Sequence, residues 1–170
     1  QSPDNNQGPW AALETYLRTQ TDAGNEIYIV SGPNGVGGTG SNGSFTTIAN
    51  GHVTVPSSTW KVALVLPQAT GDDTARVACS TRTIAVIMPN VQGIRSDPWE
   101  NFLTTVDAVE TLTGYDLFSN LPPAVQACVE AGTNGTNPPG TADQTASTTE
   151  EAPVTVTLQA LRSTNNTLTF

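Results

Sequence analysis

A chain of 170 residues suits one domain with a sizeable core, but 36% hydrophobic residues, 15 glycines and 12 prolines argue that part of it stays outside that core. Six basic residues against 15 acidic ones leave a net charge of −9, which repels polyphosphate at long range and counts against a bare nucleic-acid-binding module. The longest aliphatic run, Val62-Ala63-Leu64-Val65-Leu66, is far short of the roughly 18 residues of a membrane-crossing helix, so no membrane role is expected.

The first predicted element is a helix opened by Gly8-Pro9, proline suiting a first helical position. Trp10, Leu13 and Leu17 then form one apolar stripe at i, i+3 and i+7, and Asp22-Ala23-Gly24 closes the helix. Glu26 to Val30 is β-branched and aromatic, a strand expected to end at Gly32-Pro33. Six glycines between 32 and 43 predict a flexible surface loop, and Val53-Thr54-Val55 a short extended piece closed by Pro56. Trp60 to Leu66 and Thr83 to Met88 are continuous apolar runs, as interior strands require. Asp72-Asp73 has the composition of a turn. Val106, Val109 and Leu112 have helical spacing up to Gly114, a suitable C-cap, and Pro122 to Glu130 forms a second short helix. Helices and strands alternate irregularly, so the expected class is α+β.

Much of the polar composition lies after residue 131. The expected organisation is a packed unit over 1–132, a flexible linker over 133–152, and a tail or docking strand over 153–170 that includes the alternating Val154 to Leu158. No stretch has the form of a signal peptide, so the chain is expected to be a mature form or part of something longer. Two cysteines, Cys79 and Cys128, lack zinc-ligand spacing and leave open one disulfide or two buried thiols. The scarcity of lysine and the Asn-x-Ser/Thr sequons at Asn42, Asn134 and Asn165 lean towards a secreted, extracellular or periplasmic protein.

The residues best placed for chemistry are Asn6, Glu14 and Arg18. Asn6 stands just before the first helix. Glu14 and Arg18 are i, i+4, and so able to pair. They flank the apolar stripe at about 40° and 80° from Trp10 on a helical wheel. Spacing alone favours an N-capping asparagine and a solvated ion pair. An amide, a carboxylate and a guanidinium on one half-sheltered helix edge also suit a hydrated cation beside a phosphate.

The wording of the chain points to the second reading. Gln1-Ser-Pro-Asp-Asn-Asn-Gln-Gly-Pro-Trp-x-x-Leu-Glu resembles the metal helix of the DNA/RNA non-specific endonucleases. The likeness continues in Ile27-Tyr-Ile-Val-Ser-Gly-Pro-Asn34-Gly, Val53-Thr-Val-Pro-Ser-Ser-Thr-Trp60-Lys61-Val, Ile84-Ala-Val-Ile-Met-Pro-Asn90 and Val106-Asp-Ala-Val-Glu110-x-x-Thr-Gly114-Tyr-Asp. These blocks cover about residues 1–131 in order. The resemblance implies a ββα-metal nuclease fold, with a mainly antiparallel sheet between helices. It implies Asn6 as the one direct ligand of Mg²⁺ or Mn²⁺, Glu14 supporting that ion through water, and Arg18 contacting phosphate, with Glu14 and Arg18 the catalytic pair. DNA and RNA are the implied substrates, cut without sequence preference to leave 5′-phosphorylated ends.

This sequence departs from the family at its start. The family's Asp-Arg-Gly-His block, which holds the general base, and a second active-site Asn ahead of the helix are not in these 170 residues. The one histidine, His52, falls where the family has a polar residue entering a strand, and is not expected to be the base. The expectation is therefore the downstream half of a nuclease domain, partnered by an upstream polypeptide half that carries the histidine, with the isolated chain inactive. A secreted non-catalytic module on a degenerate nuclease scaffold is the rival, favoured by the charge of −9. The glycine loop lacks the Lys-Ser/Thr of a phosphate-binding loop. Trp60 and Trp99 are read as core, and Asp107 and Glu110 as solvated or capping acids.

Overall fold

The structure, a computed structural model, describes residues 1–135 together with 140–141 and 160–161. Its centre is a four-stranded antiparallel sheet. The strands are β1 (Asn25–Asn34), β6 (Ser58–Pro67), β7 (Arg82–Pro89) and β8 (Leu103–Thr104), in the order β1-β6-β7-β8. The intervening chain forms two small hairpins. Gly38–Gly40 (β2) pairs with Gly43–Phe45 (β3), and Thr47–Ile48 (β4) with Val53–Thr54 (β5). Helices α1 (Pro3–Gln7) and α2 (Pro9–Asp22) precede the sheet, the single turn α3 (Asp73–Arg76) joins β6 to β7, and α4 (Val106–Thr113) and α5 (Pro123–Ala131) follow.

Period-two alternation along β6 explains the layering. Ala63 and Val65 face α2, where Leu13 and Leu17 pack with Ile84, Val86, Met88 and Trp99. Trp60 and Val62 face the other way, onto Val106 and Val109 of α4, and Leu64 and Leu66 onto Leu121 and Val129 beside α5. Both faces of β6 and β7 are covered, which is why their sequences read as unbroken apolar runs. Each buried leucine of α2 would cost about 2–5 kcal/mol if cut back to alanine, so the helix carrying Glu14 and Arg18 is held firmly on the sheet.

Several expectations need correcting. β1 does not stop at Gly32-Pro33 but runs on to Asn34. An edge strand tolerates proline, and Gly32 lies so close to Trp60 that a Cβ there would be 2.9 Å from the indole ring. The second half of the glycine loop is not loose: β2 is tied to the end of β7 through Thr39 N–H and the Asn90 carbonyl at 2.9 Å. Asp72-Asp73 begins a helical turn, Asp72 capping it by accepting from Thr74 N at 3.0 Å. α1 was not foreseen at all. The antiparallel α+β architecture itself, with helices on both faces, is as expected.

Cys79 and Cys128 are joined as a disulfide, with Cα atoms 5.3 Å apart, linking the segment before β7 to α5. Residues 140–141 pair antiparallel with 160–161. Most of the expected linker and tail, the strand at 154–158 included, lies outside the described residues. Along β1, Tyr28, Ile29 and Val30 are 46%, 50% and 48% exposed, and the strand's outer edge has no partner among the described residues.

Candidate active site

α1 is too short to stand alone, and tertiary hydrogen bonds fix it. Ser2 caps it by accepting from Asn5 N, and anchors it by donating its own N–H to Asn90 Oδ1 at 2.5 Å and its hydroxyl to the Val91 carbonyl at 2.7 Å. Asn5 is fully buried. Its Nδ2 donates to the Pro89 carbonyl at 2.8 Å and to Thr59 Oγ1 at 3.3 Å, and its Oδ1 accepts from Gln1 Nε2 at 3.0 Å. Asp4 accepts from Gly93 N at 2.7 Å and Arg95 Nε at 3.0 Å. Those two hydrogen bonds, Gly93 first, hold its carboxyl below the usual carboxylate range. Gln7 accepts from Arg95. Asn6 differs from these: it is exposed, and although its backbone N–H donates to the Ser2 carbonyl at 3.0 Å, its side-chain amide makes no hydrogen bond among the described residues.

Gly8 separates α1 from α2. A Cβ there would lie 2.4 Å from the Asp4 carbonyl oxygen and 2.6 Å from that of Arg95. Only glycine lets the chain leave α1 so close to the 93–95 segment and start α2 at Pro9 at once. The position of Asn6 relative to α2 thus depends on Gly8.

On α2, Glu14 and Arg18 sit at the edge of the buried stripe, as the wheel predicts, but they do not pair. Glu14 takes another partner: Lys61 Nζ of β6, 3.1 Å from its Oε1. The Lys61 side chain is only 5% exposed, and its ammonium lies 4.0 Å from the centroid of the Trp10 ring. A buried cation needs a counter-ion more than the exposed Arg18 does, so Lys61 wins the carboxylate. Burial pushes the Lys61 pKa below its ordinary value. The Glu14 hydrogen bond and charge oppose that fall, and the Arg18 charge adds to it. Glu14, Arg18, Lys61, Ser31, Ile27 and Ile29 are among the lining of a cleft of about 430 Å³ between α2 and the β1 side of the sheet. Asn6 does not line it, and stands outside at the end of α1.

His52 is exposed in the turn between β4 and β5, and its ring makes no hydrogen bond or ion pair among the described residues. Trp60 and Trp99 are buried in the core, at 2% and 6% exposure. Lys61 was missed as a site residue, although its signal was present: one charge inside the apolar run Trp60 to Leu66. Asp107 is exposed on α4 and Glu110 accepts from Leu117 N, as solvated and capping acids do. One carboxylate oxygen of each, with one of Glu130 on α5, lies within 4.8 Å of the others, an acidic cluster separate from α1 and α2.

Comparison with known proteins bears on the family and the fold. The family model described as DNA/RNA non-specific endonuclease matches residues 1–124. A nuclease of Nostoc sp. is 41% identical over 131 residues, covering 77% of this chain and 44% of the relative. Human mitochondrial endonuclease G is 30% identical over 71% of this chain and 39% of its own length, and nuclease C1 of Cunninghamella echinulata 33% over 68% and 44%. This chain therefore spans less than half the length of the relatives it matches. The solved EndoG/EndoGI complex aligns with a TM-score of 0.51 and 23% identity over 72% of this chain and 48% of that one, a likeness of fold. With its family pattern matched across the whole of the sheet and both of its faces, the chain belongs to the DNA/RNA non-specific endonuclease family.

Proposed function

We propose that this chain supplies the cation-binding and phosphate-contacting part of an endonuclease that hydrolyses phosphodiester bonds of DNA and RNA with Mg²⁺ or Mn²⁺. The observation that carries the reading is the contrast between two adjacent asparagines. Asn5 spends its amide on the sheet, whereas Asn6, at the family's ligand position, keeps its amide free and in solvent. A single neutral oxygen ligand suits a cation that keeps most of its water.

The donor set fits such an ion, with Asn6 as direct ligand and Glu14 acting through water. Lys61 occupies Glu14 Oε1, leaving Oε2 to accept hydrogen bonds from hydrating water. The Arg18 guanidinium, exposed and unpaired among the described residues, contacts the phosphate and offsets its charge. When bound, the cation neutralises charge on the phosphate and on the leaving 3′ oxygen. Lys61 acts as a positioning residue, since it fixes the Glu14 carboxylate. A general base is contributed by a further segment bearing Asp-Arg-Gly-His, because the His52 ring makes no hydrogen bond or ion pair with Asn6, Glu14 or Arg18. The same segment covers the apolar β1 edge at Tyr28, Ile29 and Val30, which would otherwise invite aggregation. The disulfide supports an oxidising location outside the cytosol.

The test is cleavage of supercoiled plasmid and of a structured RNA by the chain together with such a segment. Mg²⁺-dependent cutting of both that leaves 5′-phosphate ends supports the reading. Binding of nucleic acid without cleavage, or cleavage of neither in any divalent ion, rejects it. The charge of −9 favours one second reading, a non-catalytic binding module on the same scaffold, and only that second outcome would sustain it.

A further inference from the structure

α4 and α5 pack against each other on the sheet face opposite α2, and three acids meet where they do. Asp107 and Glu110 are i, i+3 on α4, hence on one helical face, and Glu130 comes from the last turn of α5. One carboxylate oxygen of each lies within 4.8 Å of the others. None of the four ion pairs among the described residues involves any of them. Acids gathered in this way are common on protein surfaces and bind nothing. Here, however, Glu130 is only 6% exposed, and its Oε1 is buried with no hydrogen-bond partner. A buried carboxylate oxygen left bare among other carboxylates is costly unless something positive meets it.

We propose that Asp107, Glu110 and Glu130 form a site for a divalent cation of calcium type that clamps α4 to α5, distinct from the Asn6 helix. The ligand chemistry selects the ion. All three donors are hard oxygens, and no histidine or cysteine is in the group, which disfavours zinc and copper. The donors come from two helices with no octahedral constraint, and Asp107 is exposed, leaving room for several waters. That irregular, partly hydrated oxygen shell suits Ca²⁺ better than Mg²⁺. Glu110 Oε1 already accepts from Leu117 N at 2.6 Å, which fixes its carboxylate and leaves the second oxygen for the ion. Burial raises the Glu130 pKa to about 7, Gln126 opposes the rise by a hydrogen bond, and Glu110, Asp107 and Asp116 add to it. The nuclease chemistry makes no use of this cluster, so the inference stands apart from that reading.

Calorimetric titration of the full chain with CaCl₂ in metal-free buffer, paired with thermal unfolding, tests it. The expected result is one saturable Ca²⁺ site and a Ca²⁺-dependent rise in Tm, both retained in Asn6→Ala. Glu130→Gln, of the same shape, should weaken binding at least about tenfold and abolish the rise in Tm, as one of three charged ligands is lost. Asp107→Asn, on the exposed face of α4, gives the same direction of change at a position whose loss does not endanger folding. Wild-type protein without saturable binding up to about 10 mM, well above the weakest range of extracellular calcium modules, would overturn the proposal. So would undiminished binding in both variants, or binding that vanishes in Asn6→Ala.

Discussion

Replacing Glu14 and Lys61 one at a time should give unequal results, because the two ends of their ion pair sit in different surroundings. Glu14→Gln leaves an ammonium on a side chain that is 5% exposed, without its carboxylate. Removing one partner of a buried pair costs about 3–5 kcal/mol. Glu14 itself is 42% exposed, so water screens part of that, and about 1–3 kcal/mol is expected. Lys61→Met removes the charge and keeps the apolar stem. It loses the contact with Trp10, worth about 0.5–2 kcal/mol, but also the cost of burying a cation, so stability should change by no more than about 1 kcal/mol. The pH dependence separates them further. Burial already holds the Lys61 pKa low, and without Glu14 it falls lower. A lysine whose folded pKa lies below its unfolded value loses its proton first in the folded state, so stability rises as pH climbs through that value. The Glu14→Gln deficit should therefore shrink as pH rises towards the ordinary lysine value, and Lys61→Met should show no such trend. Urea unfolding followed by tryptophan fluorescence reads both, with the double variant closing the cycle. A Lys61→Met cost equal to or above that of Glu14→Gln, with no coupling between them, would refute the argument. Activity should nonetheless fall about 10–100-fold in Lys61→Met, since the carboxylate loses its orientation.

The neighbouring asparagines offer a sharp contrast. Asn5→Ala should cost about 2–3 kcal/mol of stability through its lost buried hydrogen bonds, and Asn6→Ala should leave stability within about 0.5 kcal/mol while removing one Mn²⁺ site by calorimetry. Gly8→Ala should destabilise by about 1–3 kcal/mol, visible as a lower denaturation midpoint, because its methyl meets two backbone carbonyls. Reducing Cys79–Cys128, whose partners are 49 residues apart, should cost about 4 kcal/mol in the chain-entropy model, measured by unfolding with and without reductant. In metal-free buffer, stability should fall as pH rises from about 4.5 to about 7 and then level off. Glu130 has a folded pKa above its unfolded one, so its contribution is complete below the unfolded value and is lost as pH passes the folded value. Glu130→Gln should flatten that slope.

Much of the fold was legible because β6 and β7 are covered on both faces and spell this out as unbroken apolar runs. α2 showed its stripe at Trp10, Leu13 and Leu17, and α4 its C-cap at Gly114. α1 was hidden for the opposite reason. Pro3 to Gln7 has no apolar periodicity, and what holds it is a set of hydrogen bonds to Thr59, Pro89, Asn90, Val91, Gly93 and Arg95, far away in the chain. Glycine content suggested mobility at 32–43, whereas Gly32 and Gly38 are there for close contact with Trp60 and Asn90. At the site, Asn6, Glu14 and Arg18 were nameable from family wording, but not the partner of Glu14, which is 47 residues away. The same holds for Glu130: its neighbours on α4 were visible as acids, and only the packing of α5 brings it to them.

The central claim is that Asn6, and not His52, lies at the centre of the chemistry. Its most direct test is the Mg²⁺-dependent nicking rate of supercoiled plasmid, measured on the chain joined to a segment bearing Asp-Arg-Gly-His, with Asn6→Ala and His52→Ala in parallel. Loss of at least about 100-fold in Asn6→Ala, with an unchanged rate in His52→Ala, is the predicted result. A His52→Ala variant that stops cutting, beside an Asn6→Ala variant that keeps it, would contradict the account.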